Sequence, residues 1–258
     1  MPDVDYLSVR GVSKQFDSGG NAVSAIEDVS FDIARGSFVS ILGPSGCGKS
    51  TLFNVIAGLL PPTAGDVRLG DTSIIGKAGQ VGYMLQKDLL LPWRTIEDNI
   101  TLGQTLRGIR KRTARQAAAP LIDRCGLAHF EKKKPHQLSG GMRQRAALLR
   151  TLLTGKDVLL LDEPFGALDA ITRLQLQMTL IDVWQETRKT ILFVTHDVDE
   201  ALLLSDEIIV LTQRPGRVRA RLTVDLPRPR TPDMLASPDL MQLKAQLMTL
   251  LLQEVTEP

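Results

Sequence analysis

The segment Phe38-Val39-Ser40-Ile41-Leu42-Gly43-Pro44-Ser45-Gly46-Cys47-Gly48-Lys49-Ser50-Thr51 decides how the rest of the chain is read. Phe38 to Leu42 is a short run, apolar apart from Ser40, that suits a strand buried on both faces. Gly43 to Ser50 fits the pattern G-x-x-x-x-G-K-[ST], and Thr51 to Leu60 continues as a helix stopped by Pro61-Pro62. The residue types have a physical purpose. Glycines let backbone N–H groups turn inward around phosphate oxygens, and the following helix presents its positive end. Lys49 supplies charge to the β- and γ-phosphates of a nucleotide, and the Ser50 hydroxyl is placed to hold Mg²⁺. The plain alternative, a glycine turn with a surface lysine, explains neither the strand before the loop nor the helix after it.

A second buried strand, Val158-Leu159-Leu160-Leu161, runs into Asp162-Glu163-Pro164. Its carboxylates fall at the strand's C-terminal end, where α/β sheets bind their ligands. Asp162 provides the hard oxygen that Mg²⁺ prefers, and Glu163 is positioned to orient or deprotonate a water facing a γ-phosphate. A solvated Asp-Glu turn is the alternative. A third element, Leu138-Ser139-Gly140-Gly141-Met142-Arg143-Gln144-Arg145, opens another helix with exposed N–H groups. An ordinary N-cap with a glycine turn accounts for it equally well on physical grounds.

Working outward, strands at Val81–Leu85, Ile191–Val194 and Ile208–Leu211 join these to make an α/β pattern. Val29, Phe31 and Ile33 alternate with polar residues as in a half-exposed strand, and Val218, Ala220, Leu222 and Val224 do the same beyond the Pro215-Gly216 turn. Residues 95–154 read almost wholly as helix. Thr95 with Asp98 resembles a capping box, Thr113 is placed to cap an Ala-rich stretch, and Ser139 to cap a helix through Leu153. Ile171, Leu174, Met178, Ile181 and Trp184 keep the spacing of one buried helix face. Ser237 and Pro238 open a final amphipathic helix.

Composition narrows the class. With 258 residues, folding buries roughly 70–75% of the unfolded chain's surface, so no staple is required. A formal charge of +2, from 31 basic and 29 acidic side chains, gives no reason to expect nucleic acid as a partner. The two cysteines, Cys47 and Cys125, suggest free thiols in a reducing compartment. Neither a signal peptide at MPDVDYLSVR nor an apolar run of the ~20 residues a span needs is visible, which points to a soluble intracellular chain. The chain ends about forty residues past the Pro-Gly turn, and a large C-terminal regulatory domain is not expected.

Taken together, the motifs resemble those of the ATP-binding subunits of ABC (ATP-binding cassette) transporters along nearly the whole chain. GPSGCGKST is similar to the family's Walker A motif, VLLLDEP to Walker B and LSGGMRQR to the signature. Gln86 falls at the Q-loop, Ala167-Leu168-Asp169 at the D-loop, and Thr195-His196-Asp197 at the H-switch, while Phe16 corresponds to the aromatic that stacks on adenine. The resemblance implies a P-loop NTPase (RecA-like) α/β core sheet with an N-terminal antiparallel β part and an inserted α-helical subdomain. The expected division is core over 1–86 and 156–236, helical subdomain over 87–155, and C-terminal helix over 237–258.

It also implies ATP and Mg²⁺ as cofactors and a head-to-tail pair of ATP-binding subunits with nucleotide at their interface. Residues Gly43, Pro44, Ser45, Gly46, Cys47, Gly48, Lys49, Ser50 and Thr51 would cradle the phosphates, with Phe16, Gln86 and Asp169 nearby. Ser139, Gly140 and Gly141 would reach the nucleotide held by the partner, which explains the second cradle. Ser50, Gln86 and Asp162 would serve the metal. Glu163 is expected as general base, with His196 and Lys49 completing the catalytic set. His129 and His136 match no ligand spacing and are expected at the surface.

Met142 stands where most of the family has Gln. Together with Gln86–Thr95 and Arg214-Pro215-Gly216-Arg217, it is similar to importers of nitrate, sulfonates, taurine and pyrimidine precursors. The implied partners are multi-span permease subunits and a separate solute-binding protein, with this chain peripheral on the cytoplasmic face of the membrane. A soluble ABC ATPase of a non-transport complex, such as iron–sulfur cluster assembly, is the alternative. Leu89, Leu90, Leu91 and Trp93 either form an apolar docking surface for a permease or bury against the helical subdomain. The six arginines between Arg214 and Arg230 either meet lipid headgroups or phosphates or form a solvated strand face.

Overall fold

The computed structural model describes residues 5–19 and 21–256, and the chain divides into two compact units, residues 1–80 with 188–258 and residues 81–187. In the first unit, β1 (Asp5–Ser18) and β2 (Asn21–Ala34) form a long antiparallel hairpin. β4 (Ala64–Leu69) pairs with β1, and β5 (Thr72–Ser73) with β4, giving the order β2-β1-β4-β5. Val29, Phe31 and Ile33 are buried while Ser30 and Asp32 are not, so the alternation in the sequence does mark a strand with one wet face.

The unit's second set of strands runs in the order β10-β9-β3-β8, comprising β3 (Phe38–Leu42), β8 (Thr190–Val194), β9 (Glu207–Leu211) and β10 (Val218–Thr223). β3 lies parallel to both β8 and β9, and β10 returns antiparallel along β9. All five residues of β3 and of β8 are buried, as strands covered on both faces require. Helix α1 (Lys49–Ile56) follows β3, α7 (Val198–Leu204) joins β8 to β9, and α8 (Pro238–Thr256) is the last described element. Leu240 and Leu247 of α8 join Ala201, Leu202, Ile208, Val210 and Leu222 in one core cluster. Complete burial of such leucines is worth about 1.5–3 kcal/mol each, enough to seat the helix.

The second unit pairs β6 (Gly82–Met84) in parallel with β7 (Val158–Asp162) and otherwise is helical. Its helices are α2 (Ile96–Ile100), α3 (Leu102–Leu106), α4 (Lys111–Arg124), α5 (Gly140–Leu152) and α6 (Ala170–Thr187). Among the described residues, 87–155 contain no strand. The Thr95 hydroxyl accepts from the Asp98 N–H at 3.2 Å, and Ser139 caps α5 as expected. Ser237 likewise precedes α8, its hydroxyl accepting from Leu240 N–H at 3.4 Å.

Local expectations needed correction in three places. α1 begins at Lys49 and stops at Ile56, before the proline pair, because the N–H groups of Leu59 and Leu60 both turn back onto the Asn54 carbonyl. Thr113 lies inside α4, which starts two residues earlier with Arg110 at its cap. On α6, Ile181 and Trp184 are buried but Ile171 and Leu174 are exposed, and Leu176, Leu180 and Val183 complete the buried face instead.

Candidate functional site

In the first unit the glycine loop leaves the end of β3, and Lys49 is the first residue of α1. Its ammonium folds back over the loop, donating to the Gly43 carbonyl at 2.7 Å and the Pro44 carbonyl at 2.8 Å. Gly48 caps the helix at φ +104°, a region that side chains avoid. A Cβ there would also lie 2.5 Å from Ile26 Cγ2 and 2.6 Å from the Ala25 carbonyl. Glycine is therefore required twice over at Gly48, by conformation and by the strand packed against it. Cys47 is buried beside Lys49. Burial pushes its thiol pKa up, against the pull of the Lys49 charge, so the sulfur stays neutral.

Sequence reading missed two contributors to this loop. Gly216 donates its N–H to the Ala25 carbonyl at 3.0 Å and accepts from Glu27 N–H at 3.0 Å, and a Cβ on it would collide with the Cys47 carbonyl. The Pro215-Gly216 turn thus clamps β2 onto the phosphate loop. Its partner Cys47 is far away in sequence, and no local signal reports the contact. The second contributor is the network behind His196. Thr195 N–H reaches the Ile41 carbonyl at 3.4 Å, so the residues after β8 meet the edge where the loop begins. The Thr195 hydroxyl donates to the buried Glu200 carboxylate at 2.6 Å and accepts from Asp197 N–H at 3.0 Å. Asp197 in turn caps α7 through the N–H groups of Asp199 and Glu200. His196 projects exposed from this fixed turn.

Phe16 pairs with Val23 across the hairpin and is 39% exposed. Ser50 is exposed at the first turn of α1, and Thr51 is half-buried behind it.

In the second unit, β6 and β7 end together, with Met84 opposite Leu161. Gln86 and the Asp162-Glu163 pair therefore leave from one edge. The Gln86 amide donates to a Glu163 carboxylate oxygen at 3.1 Å. Asp162 is 3% exposed, and its charge adds to burial in pushing the Tyr83 hydroxyl well above its ordinary pKa. Glu163 takes φ +47°, a left-handed conformation that costs a non-glycine residue about 1–3 kcal/mol. Its carbonyl accepts from Gly166 N–H at 3.2 Å, and Gln144 of α5 reaches the same oxygen at 3.5 Å. These bonds hold the strained turn.

Ser139, Gly140 and Gly141 form the open N-terminus of α5. The Ser139 hydroxyl accepts from Met142 N–H at 3.2 Å, and Arg143 donates to the Leu138 carbonyl at 2.9 Å. Asp169 is exposed and accepts from Thr172 N–H at 3.0 Å, a bond that holds its carboxyl below the usual range. Leu89 and Trp93 are exposed, whereas Leu90 is buried, so the loop after Gln86 divides between the two readings given above. Arg143 pairs with Asp88 at 3.0 Å, and Arg150 donates to the carbonyls of Asp88 and Leu89, pinning that loop onto α5.

The arginines from Arg214 to Arg230 form no unengaged basic face. Arg217 pairs with Glu27 at 2.9 Å, Arg221 with Glu207 at 2.5 Å and Arg228 with Asp206 at 2.8 Å. Arg214 reaches the Ser24 carbonyl, Arg219 reaches Gln253, and Arg230 is buried. His129 and His136 are exposed.

Known proteins resemble the chain in sequence and in fold. The ABC transporter family model matches residues 26–166. An uncharacterized ABC transporter ATP-binding protein of Methanocaldococcus jannaschii is 43% identical over 249 residues, 96% of this chain and 92% of its own. A taurine import ATP-binding protein of Rhizobium johnstonii is 42% identical over 256 residues, 97% and 96% of the two chains. A dimeric bacterial ABC transporter cassette superposes with a TM-score of 0.78 at 30% identity, over 84% of this chain and 98% of that one. The same cassette in a post-hydrolysis state bound to ADP and Pi gives 0.77. Loop, carboxylates, second helix N-terminus and relatives lead to one conclusion: the chain belongs to the ABC transporter family, as an ATP-binding subunit whose ATPase activity is coupled to transport.

Proposed function

We propose that this chain powers the import of a small solute of the nitrate, sulfonate, taurine or pyrimidine-precursor class, working as a head-to-tail pair with ATP at the interface. The observation that carries the reading is the Gln86–Glu163 hydrogen bond of 3.1 Å. It ties the loop bearing exposed Leu89 and Trp93 to the carboxylate best placed to act as base, so a partner seated on that loop has a direct path to the chemistry. Full-length similarity to a taurine import subunit supports the transport direction.

The residues fit the cofactors. Gly48 keeps a backbone turn that any side chain would strain, Lys49 brings a positive charge held over the loop, and Ser50, Asp162 and Gln86 each carry a hard oxygen of the kind Mg²⁺ takes. ATP with its Mg²⁺ supplies the phosphoanhydride bond and neutralises charge on the phosphates. The backbone N–H groups from Gly43 to Thr51 bind the phosphates. Phe16 stacks on adenine. Glu163 accepts a proton from the attacking water, Gln86 orients that carboxylate, and His196 holds the γ-phosphate side of the site. Ser139, Gly140 and Gly141 act on the nucleotide held by the partner subunit, and Asp169 lies near the same boundary.

The division into core 1–86 with 156–236, helical part 87–155 and C-terminal helix 237–258 belongs to this reading. So do permease subunits, a separate solute-binding protein and a peripheral place on the cytoplasmic face of the membrane. Among the described residues no helix is long and apolar enough to cross a bilayer. Changing Leu89 and Trp93 together to Asp tests the reading. Recovery of the chain with cell membranes should be lost while ATP affinity is kept. Unaltered membrane recovery would remove the loop from docking and favour a non-transport complex.

A further inference from the structure

Lys14 stands out because its ammonium lies over the ring of Phe16, 5.3 Å from the centroid, and also donates to the Pro61 carbonyl at 2.8 Å. Pro61 follows the helix that leaves the phosphate loop, so this one side chain joins that helix's exit to the exposed aromatic. The β1–β2 register shifts on both sides of Lys14, between Val12 and Lys14 and again between Lys14 and Gln15. Such irregularities re-aim side chains locally. The connection is braced further by Thr63, whose N–H reaches the Ser13 carbonyl at 2.8 Å and whose hydroxyl accepts from Gln15 N–H at 3.0 Å.

We propose that Lys14 is a positioning residue for the nucleotide base: anchored on the Pro61 carbonyl, its ammonium holds the Phe16 ring from one face and leaves the other to stack on adenine. The inference rests on Phe16 being the stacking residue. Two physical effects support it. A ring fixed by a cation on one side loses little further freedom when a base arrives on the other. The cation also draws π density toward itself, which makes the opposite face a better partner for an electron-rich purine. The Lys14 ammonium is held by the protein, so it contributes to recognition of the base and not to charge at the phosphates.

The test compares MgATP with inorganic tripolyphosphate, which carries phosphates but no base, by calorimetric titration of the purified chain. Lys14→Met should weaken ATP roughly threefold, the scale of an exposed cation–π contact, and leave tripolyphosphate unchanged. Lys14→Arg should restore ATP affinity, since a guanidinium serves the same ring. Phe16→Ala should cost on the order of tenfold for ATP alone. If Phe16→Ala matters and Lys14→Met does not, the stacking reading stands and the Lys14 proposal fails. If Lys14→Met tightens ATP binding, Lys14 blocks the ring instead of presenting it, and the proposal fails. Equal losses for ATP and tripolyphosphate would make Lys14 a phosphate ligand or a brace for the hairpin, and would overturn it as well. No effect of Phe16→Ala on ATP would remove the stacking reading and the proposal with it.

Discussion

Arg230 is 1% exposed and, among the described residues, donates to no carboxylate, yet it holds four separate backbone carbonyls. One terminal nitrogen donates to Leu202 at 3.0 Å and to Ser205, at the C-terminal end of α7, where the helix dipole favours a cation. The other donates to Val224 at 2.7 Å and Leu226 at 3.4 Å, just beyond β10. Burial pushes the guanidinium pKa down to about 10, with Arg228 adding to the shift and Asp206 opposing it. Arg230→Met keeps the volume and removes every donor. Hydrogen bonds from charged groups are worth about 1.5–3 kcal/mol, and a buried carbonyl left without a partner costs a similar amount. The relieved burial of the charge offsets part of this, leaving a net loss of about 3 kcal/mol. For a chain of this size that corresponds to a fall in Tm of roughly 6–12 °C. Thermal unfolding followed by circular dichroism measures it, with Arg230→Lys expected to fall between the two because an ammonium cannot span both pairs of carbonyls. A Tm within about 2 °C of the unaltered chain would refute the idea that this guanidinium locks the Pro-rich connection onto α7.

Gly48→Ala should reduce ATP affinity by at least about tenfold, since its methyl must displace Ile26 or Ala25 and its φ of +104° is strained, whereas an unchanged Kd would mean the loop adapts freely. Ser139→Ala should lower stability by about 1 kcal/mol through loss of the α5 cap, and Ser139→Gly by only a few tenths. Both should lose turnover alike if the hydroxyl serves the partner's nucleotide, so full turnover in either variant would leave Ser139 as a cap alone. At Asp98, burial alone would raise the carboxyl pKa, but the hydrogen bonds from Arg115 and Lys111 outweigh it and hold the group below its ordinary value of 3.8. The folded-state pKa is depressed, so this contribution is present above about pH 4 and is lost as pH falls through the folded value. Asp98→Asn should therefore flatten the acid limb of a stability–pH curve, and an unchanged limb would contradict the assignment.

What was legible in the sequence follows from how each element is stabilised. β3, β7, β8 and β9 are covered on both faces, so burial writes nearly continuous apolar runs into them. The glycine loop was legible because its backbone requirements leave few residue types. The β1–β2 hairpin was harder, since its register shifts interrupt the period that alternation relies on. α6 misled because Ile171 and Leu174 continue its apolar spacing onto an exposed stretch of surface. The arginines after Arg214 could not be assigned locally, because their partners Ser24, Glu27, Asp206, Glu207 and Gln253 are distributed through the chain. Gly216 and the Thr195–Glu200 bond were invisible for the same reason in the first case and, in the second, because a hydroxyl and a carboxylate five residues apart carry no distinctive pattern.

The central claim is that Glu163 is the base of an ATPase and that Gln86 holds it. The most direct measurement is phosphate release by Glu163→Gln beside its ATP affinity, since the new amide keeps an acceptor oxygen for Gln86 while losing the basicity. The account predicts ATP binding retained and turnover reduced by about 10²-fold or more. Turnover within about threefold of the unaltered chain would contradict it and move the proton to another acceptor.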